Sequence, residues 1–210
     1  MAYETFDQQQ LYPIAKTKAN VSSIMSAIKK YSFAKANRYY IEFTLPTPLL
    51  RYLSTRDSTF SMSQQNERMN VIKMNCIQVT YPQRSLILTD NTYGAHDERV
   101  PNSYDQSPIS ISFYAFADMK EKLFFDYWVD LMYSVRERTV MFLDEVAIPE
   151  FFIYQLDSKN MPKYGVKLSK VLPTNVSVIQ LDSQATEIPL RVDITLSYMY
   201  LDNFNYIKEE

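Results

Sequence analysis

Glycine is almost missing from this chain: of 210 residues, only Gly94 and Gly165 occur. Phosphate-cradling loops and dinucleotide fingerprints need several glycines at fixed spacing, so both are excluded. Histidine and cysteine occur once each, as His96 and Cys76. One of each cannot build the usual zinc sets within one chain, and a lone cysteine leaves no internal disulfide framework. No apolar run approaches the length of a membrane span. The opening residues, "MAYETFDQQQ", are polar and acidic, unlike a signal peptide. Basic excess is lacking too: a net charge of −2 argues against a nucleic-acid binder that works by bulk charge.

Bulk is what the chain has. There are 17 Tyr, 12 Phe and 10 Met, and the 46% apolar fraction is enough for one sizeable core. Two readings of this inventory stand: large buried interfaces, or aromatic-rich β-strands.

Catalytic chemistry finds little support. His96 sits in "YGAHDERV" beside Asp97 and Glu98, where a metal or acid–base role competes with a plain solvated loop histidine. Cys76 lies in a strand pattern next to Ile77, which suits a small buried hydrophobe better than a thiol nucleophile. The carboxylate pairs Asp97/Glu98 and Asp144/Glu145 are adjacent in the chain, so their side chains diverge. The sequence therefore predicts no enzyme, no cofactor and no metal.

The layout reads as an arm followed by one domain. Residues 1–35 form the arm, with Asn20 capping a short helix that carries Val21, Ile24, Met25 and Ile28 at helical spacing. Residues 36–210 form the domain. Tyr39, Ile41, Phe43 and Leu45 alternate in a first strand, and "VIKMNCIQVTYP" reads as a second that ends or bends at Pro82. Between them, 47–70 looks like a loop or hairpin excursion. The stretch 88–108, rich in turn formers, looks like a long loop of the kind that is functional or mobile. "ISISFYAF" is a strand that runs into the one clear helix, where Phe124, Tyr127, Trp128, Leu131, Met132 and Val135 make an apolar stripe. Asp118 and Glu121 resemble a capping box at its start, Arg136 and Arg138 its last turn, and Trp128 its core anchor. Strands return at 151–156, 164–172, 176–181 and 189–200, with short gaps that favour antiparallel pairing. The predicted class is mainly β (α+β): an antiparallel β-sandwich or barrel with one flanking α-helix.

In the last strand, "PLRVDITLSYMY", Leu190, Val192, Ile194 and Leu196 alternate with Arg191, Asp193, Thr195 and Ser197. The apolar face meets a core. The polar face looks either at open water or at something more particular.

The segment "VLPTNVSVIQLDSQATEIPLRVDITLSYMYLDN" resembles the C-terminal end of tail tube proteins from contractile-tailed bacteriophages, a family related by fold to type VI secretion tube proteins. Pro173, Thr174, Asn175 and Val176 match its turn. Leu181, Asp182 and Ser183 match the strand after it, Glu187 its acidic position, and Tyr198 and Tyr200 its aromatic end. "FAKANRYYIEF" (33–43), "NCIQVTYPQRSL" (75–86) and "SPISISFYAFADMKEKLFFDYW" (107–128) resemble further segments in the family's order. The longer arm, the 47–70 excursion and the 88–108 loop depart from it.

The resemblance implies hexameric rings whose strands join one continuous barrel, and rings that stack into a tube conducting DNA out of a contractile tail. If six subunits gave four strands each, a barrel of about 24 strands spaced ~4.8 Å and tilted ~40° would be on the order of 48 Å wide, room enough for a duplex. On this reading Arg191, Asp193, Thr195 and Ser197 line the lumen, against the alternative of a plain solvent face. Tyr12, Ile24 and Ile28 on the arm, with Tyr52 and Phe60 on the excursion, make ring-to-ring contacts, against the alternative of packing within the subunit. The implied partners are other copies of the chain, tail sheath and baseplate proteins. DNA passes without specific binding. The implied location is the virion tail, assembled in the host cytoplasm. Three alternatives remain: a baseplate protein that initiates the tube, a secretion-type tube protein, or, in another class, a monomeric β-sandwich binding module.

Overall fold

The computed structural model describes residues 33–57, 60, 65–93, 96–135, 138–179, 181 and 189–205. The chain divides into Met1–Ala36 and Asn37–Glu210, and the second unit carries the sheets. The predicted arm helix and Tyr12, Ile24 and Ile28 lie outside the described residues.

β1 (Tyr39–Phe43) turns Ile41 and Phe43 inward. The expected excursion is instead largely helical. α1 (Thr47–Arg56) starts from Pro46, with a second proline in its first turn, and buries Leu49 and Leu53 completely. Proline suits a helix start, because the N–H it lacks has no intrahelical partner there. α2 (Gln65–Met74) buries Met69 and Ile72 and takes over the first half of what reads as the second strand. Only Cys76–Val79 (β2) remains extended.

The expected 88–108 loop is also ordered. β3 (Arg84–Tyr93) and β4 (His96–Gln106) pair antiparallel from Arg84↔Gln106 to Tyr93↔His96 as a two-stranded ribbon. β5 (Ile109–Tyr114) buries Ile109, Ile111 and Phe113 on one face. α3 (Lys120–Met132) follows and stops before Arg136 and Arg138. Its N-cap is Met119, at φ 53°, rather than Asp118. Glu121, 1% exposed, turns back to accept the N–H of Phe116 at 3.2 Å, which gives one partner to a carboxyl group that would be costly to bury alone. Trp128, 1% exposed, donates its indole N–H to the Val146 carbonyl at 2.8 Å and so ties α3 to α4 (Leu143–Val146). Two short strands lie between these helices, β6 (Tyr133–Ser134) and β7 (Thr139–Val140).

β8 (Ile148–Leu156), β9 (Pro162–Val176), β10 (Arg191–Ser197) and β11 (Tyr200–Asn205) complete the chain. The order is β1-β8-β9-β10-β5-β2, with β11 also on β9, and all these pairings are antiparallel. β9 serves two sheets. Its first part pairs with β8 on one side and β11 on the other, while residues 172–176 pair with β10. The transition falls at Lys170, whose φ of 54° bends the strand. The expected strand 176–181 is not there: β9 ends at Val176, and 177–179 are irregular. The terminal run is broken too, with a bend at Met199 between β10 and β11.

The two sheets meet across Phe43, Phe151, Ile111, Phe113, Ile194 and Leu196, with Phe125 and Trp128 closing the gap. The void left there is about 10 Å³ and its lining is apolar, so it offers a water no hydrogen-bond partner. The sheet does not close into a barrel. β1 and β2 approach through a side chain, the Tyr39 hydroxyl donating to the Cys76 carbonyl at 3.0 Å. Burial pushes the Tyr39 phenol up to about 12 and the Cys76 thiol up to about 11.

Gly165 is needed for a close approach. A Cβ there would lie 2.4 Å from Cζ of Phe204, whose ring from β11 covers the glycine. Gly165→Ala therefore displaces Phe204 and lowers stability by about 1–3 kcal/mol. Urea unfolding followed by emission of the single Trp should show the lower midpoint; an unchanged midpoint would mean the ring yields without cost. Cys76 should react with iodoacetamide at pH 8 on the order of a hundredfold more slowly in the native protein than in urea, because little thiolate exists below its raised pKa.

Candidate functional site

On the exterior of the second sheet, made of β2, β5, β10 and residues 172–176 of β9, the polar half of the β10 alternation meets small polar side chains of its neighbours. The register sets Arg191 opposite Tyr114, Asp193 opposite Ser112 and Thr195 opposite Ser110. Arg191 and Asp193 share a face because they are two apart in one strand, and Arg191 Nε donates to Asp193 Oδ1 at 2.6 Å. Arg191 Nη2 donates to Ser112 Oγ at 2.7 Å and to Gln78 Oε1 at 2.9 Å. Ser112, 1% exposed, donates its hydroxyl hydrogen bond to Asp193 Oδ1 at 2.5 Å. The Asp193 backbone N–H donates to Ser177 Oγ at 2.9 Å, and the Ser177 N–H donates to the Asp193 carbonyl at 2.8 Å. One network thus crosses from β2 to the end of β9.

The hydrogen bond from Ser112, then the neighbouring guanidinium, hold the Asp193 carboxyl below the usual carboxylate range. A depressed folded pKa contributes stability above the ordinary carboxylate range. That contribution is lost as pH falls through the depressed value. The network is therefore intact at neutral pH. Within these four strand segments Arg191 and Asp193 are the only charged residues, so the face is polar but formally neutral.

The exterior of the first sheet, made of β1, β8, β9 and β11, is chemically different. Tyr40 stacks on Tyr154, Tyr154 on Phe152, and Phe204 meets both edge-on at 6.1–6.2 Å. Lys167 pairs with Glu150 and lies over the Phe152 ring. A cleft of about 400 Å³ opens beside this cluster, lined by Tyr39, Tyr40, Glu42, Tyr154 and Leu156 among others. Among the described residues Glu42 is its one carboxylate. Among the described residues no group of His, Cys, Asp and Glu could hold a metal ion, and no helix is long and apolar enough to cross a membrane.

The β3–β4 ribbon is the third feature. Leu86, Ile87, Leu88, Val100 and Tyr104 are all exposed, between 37% and 61%. At its base Arg84 donates to the Leu201 carbonyl of β11 at 2.7 Å. His96 opens β4 at the tip of this ribbon, in a different sheet from Cys76. Phe60, expected at a ring-to-ring contact, is 1% exposed and packs against Phe124 at 6.2 Å under the Lys120–Asp57 ion pair. Its ring serves the subunit's own core. Tyr52 is half-buried with Arg56 over its ring. Sequence reasoning missed Gln78, Ser112 and Ser177 as partners of the Arg191–Asp193 pair. The Ser110/Ser112 alternation was visible, but not which strand lies beside it.

Residues 34–202 match the model of the phage tail tube protein family. No curated protein matches the chain. Among solved structures, a chain of the PVC sheath–tube complex of an extracellular contractile injection system, in the extended state, is 14% identical with a TM-score of 0.57, covering 86% of this chain and 97% of that one. A chain of the anti-feeding prophage cap, the tube-terminating cap, is 10% identical with a TM-score of 0.56, covering 92% and 99%. At such identities the likeness is one of fold. The family match spans most of the sequence and nearly every element described above: the chain belongs to the phage tail tube protein family and is a structural subunit of a tail tube.

Proposed function

We propose that the subunit assembles into hexameric rings whose second sheets join edge to edge into one barrel, and that the rings stack into a DNA-conducting tube inside a contractile sheath. The observation that carries this reading is the ribbon β3–β4. A two-stranded ribbon is marginal alone in water, yet these strands are 10 and 11 residues long with apolar side chains open on them. Burial in a neighbouring copy, across the ring boundary, supplies the missing contacts.

Strand parity supports the ring. Among the described residues β2 pairs only with β5, and residues 172–176 of β9 pair only with β10. Directions alternate across the four strands. A copy rotated about a tube axis therefore presents an edge antiparallel to its neighbour, and the joint continues the ladder; an odd number would force a parallel joint. Closure of this kind removes the exposed edges.

On this reading Arg191, Asp193, Thr195 and Ser197 line the lumen as a neutral wall that wets but does not grip DNA. Tyr12, Ile24, Ile28 and Tyr52 join the ribbon at ring boundaries, with the arm 1–35 crossing between rings and the domain 36–210 forming the wall. The aromatic exterior of the first sheet faces other proteins, the sheath among them, and baseplate proteins start the tube. The chain has no catalytic role, and it assembles in the host cytoplasm before it joins the virion tail.

Leu86→Glu with Leu88→Glu should leave the subunit folded, with Trp emission and urea midpoint near the parent's, and abolish tubes in negative stain and in pelleting. Tubes of parental length from that variant would refute ring contact through the ribbon. Deletion of residues 1–30 should stop polymerisation and leave a folded subunit, read by the same two measurements.

A further inference from the structure

We propose that Asp193 is a guard: it holds the one cation of the second sheet, Arg191, in an internal clamp that denies the guanidinium to the phosphates of duplex DNA. The proposal rests on the lumen placement above and goes beyond it, since a wall can face DNA with or without such a clamp.

An unoccupied guanidinium is the side chain best shaped for phosphate. Its planar fork matches two oxygens, and its charge survives at any working pH. In a ring such a group would recur once per copy, and in a stack once per copy per ring. Contacts that are weak singly would then sum along the same duplex. Each phosphate neutralised also releases counterions, which makes the grip strong at low salt. A conduit built this way would hold its cargo.

The geometry of Arg191 works against that outcome. Nε is committed to Asp193 Oδ1 at 2.6 Å, while Nη2 is committed to Ser112 Oγ at 2.7 Å and Gln78 Oε1 at 2.9 Å. The Nε–Nη2 edge, one that could fork onto a phosphate, is therefore fully occupied. The clamp is also braced from β5. Ser112 is 1% exposed and donates to the same carboxylate oxygen, so it aligns Asp193 for the guanidinium. A phosphate that pulled Arg191 away would break these bonds together, strand the Asp193 charge and leave the Ser112 oxygen without its donor. It would also approach the Asp193 carboxylate, a like charge. Since no other charged residue lies in the four strand segments, the state of this pair sets the charge that the face offers a polyanion.

Asp193→Asn keeps the shape and removes the counter-charge. The test uses assembled tubes of the full chain, parental and variant, incubated with a fluorescent duplex oligonucleotide and pelleted across a series of sodium chloride concentrations. Parental tubes should retain little DNA. D193N tubes should retain at least tenfold more at low salt, with retention falling steeply as salt rises, and the double variant R191Q/D193N should return to the parental level. Gln78→Ala, which frees part of the same edge from an exposed position, should give an intermediate gain and serves if D193N does not assemble. Retention by D193N or Q78A no greater than the parent's would overturn the guard role while leaving the lumen placement standing. Nuclease separates the two failures. Retained DNA should be protected; DNA gained by D193N but digested on the tube would place the clamp on an outer wall and overturn the lumen reading itself.

Discussion

The fold depends on one strand being shared. β9 pairs with β8 and β11 over its first part and with β10 over its last residues, so both sheets hang from a single backbone. The bend at Lys170, φ 54°, is what allows it. A non-glycine residue held in the left-handed region costs on the order of 1 kcal/mol, and such a conformation persists where packing over-determines it. Here Val171 and Leu168, both fully buried, flank the bend and fix its direction. Because β10 and β11 follow the same edge of β9 in succession, the bend also explains why the terminal alternating run breaks at Met199.

From that arrangement follow two exteriors of unlike chemistry. The second sheet shows mostly short hydroxyl and amide side chains, with Tyr114 at one end, around a single self-neutralised ion pair. The first shows stacked tyrosine and phenylalanine rings with charged residues among them. Small polar groups give water a continuous layer and give a passing polyelectrolyte nothing to hold. Aromatic rings offer large contact area at little cost in conformational entropy, which suits lasting contact with protein. On the proposed reading, the division of labour between lumen and outer wall follows side-chain type, strand by strand.

How much of this was legible in the sequence varied with burial. β5 and β10 were plain, because one face of each is buried and the other is not, and period-2 patterning records that difference. α3 was plain for the same reason at period 3.6. The ribbon was not: β3 and β4 expose most of their residues within the subunit, so no inward set exists to alternate, and Asp90, Asn91 and Pro101 read as turn formers. α1 was hidden by Pro46 and Pro48, which read as a loop although proline also opens helices; Leu49 and Leu53 were the available signal. α2 has only a weak apolar stripe, Met69 and Ile72, so its end merged with the strand after it. The Arg191–Asp193 pair could be named from spacing alone. Its partners on β2 and β5 could not, because strand order across a sheet is a tertiary fact that no single segment carries.

In the assembly proposed above, the neutral polar exterior of the second sheet becomes the inner wall of a tube. A cryo-EM map of the assembled tail, at a resolution that shows side chains, decides whether it does. Arg191, Asp193, Thr195 and Ser197 should lie on the lumen, with the Arg191–Asp193 pair closed and β2 of one subunit laddered to β9 of the next. A map that placed these side chains on the outer wall, or buried them between rings, would contradict it.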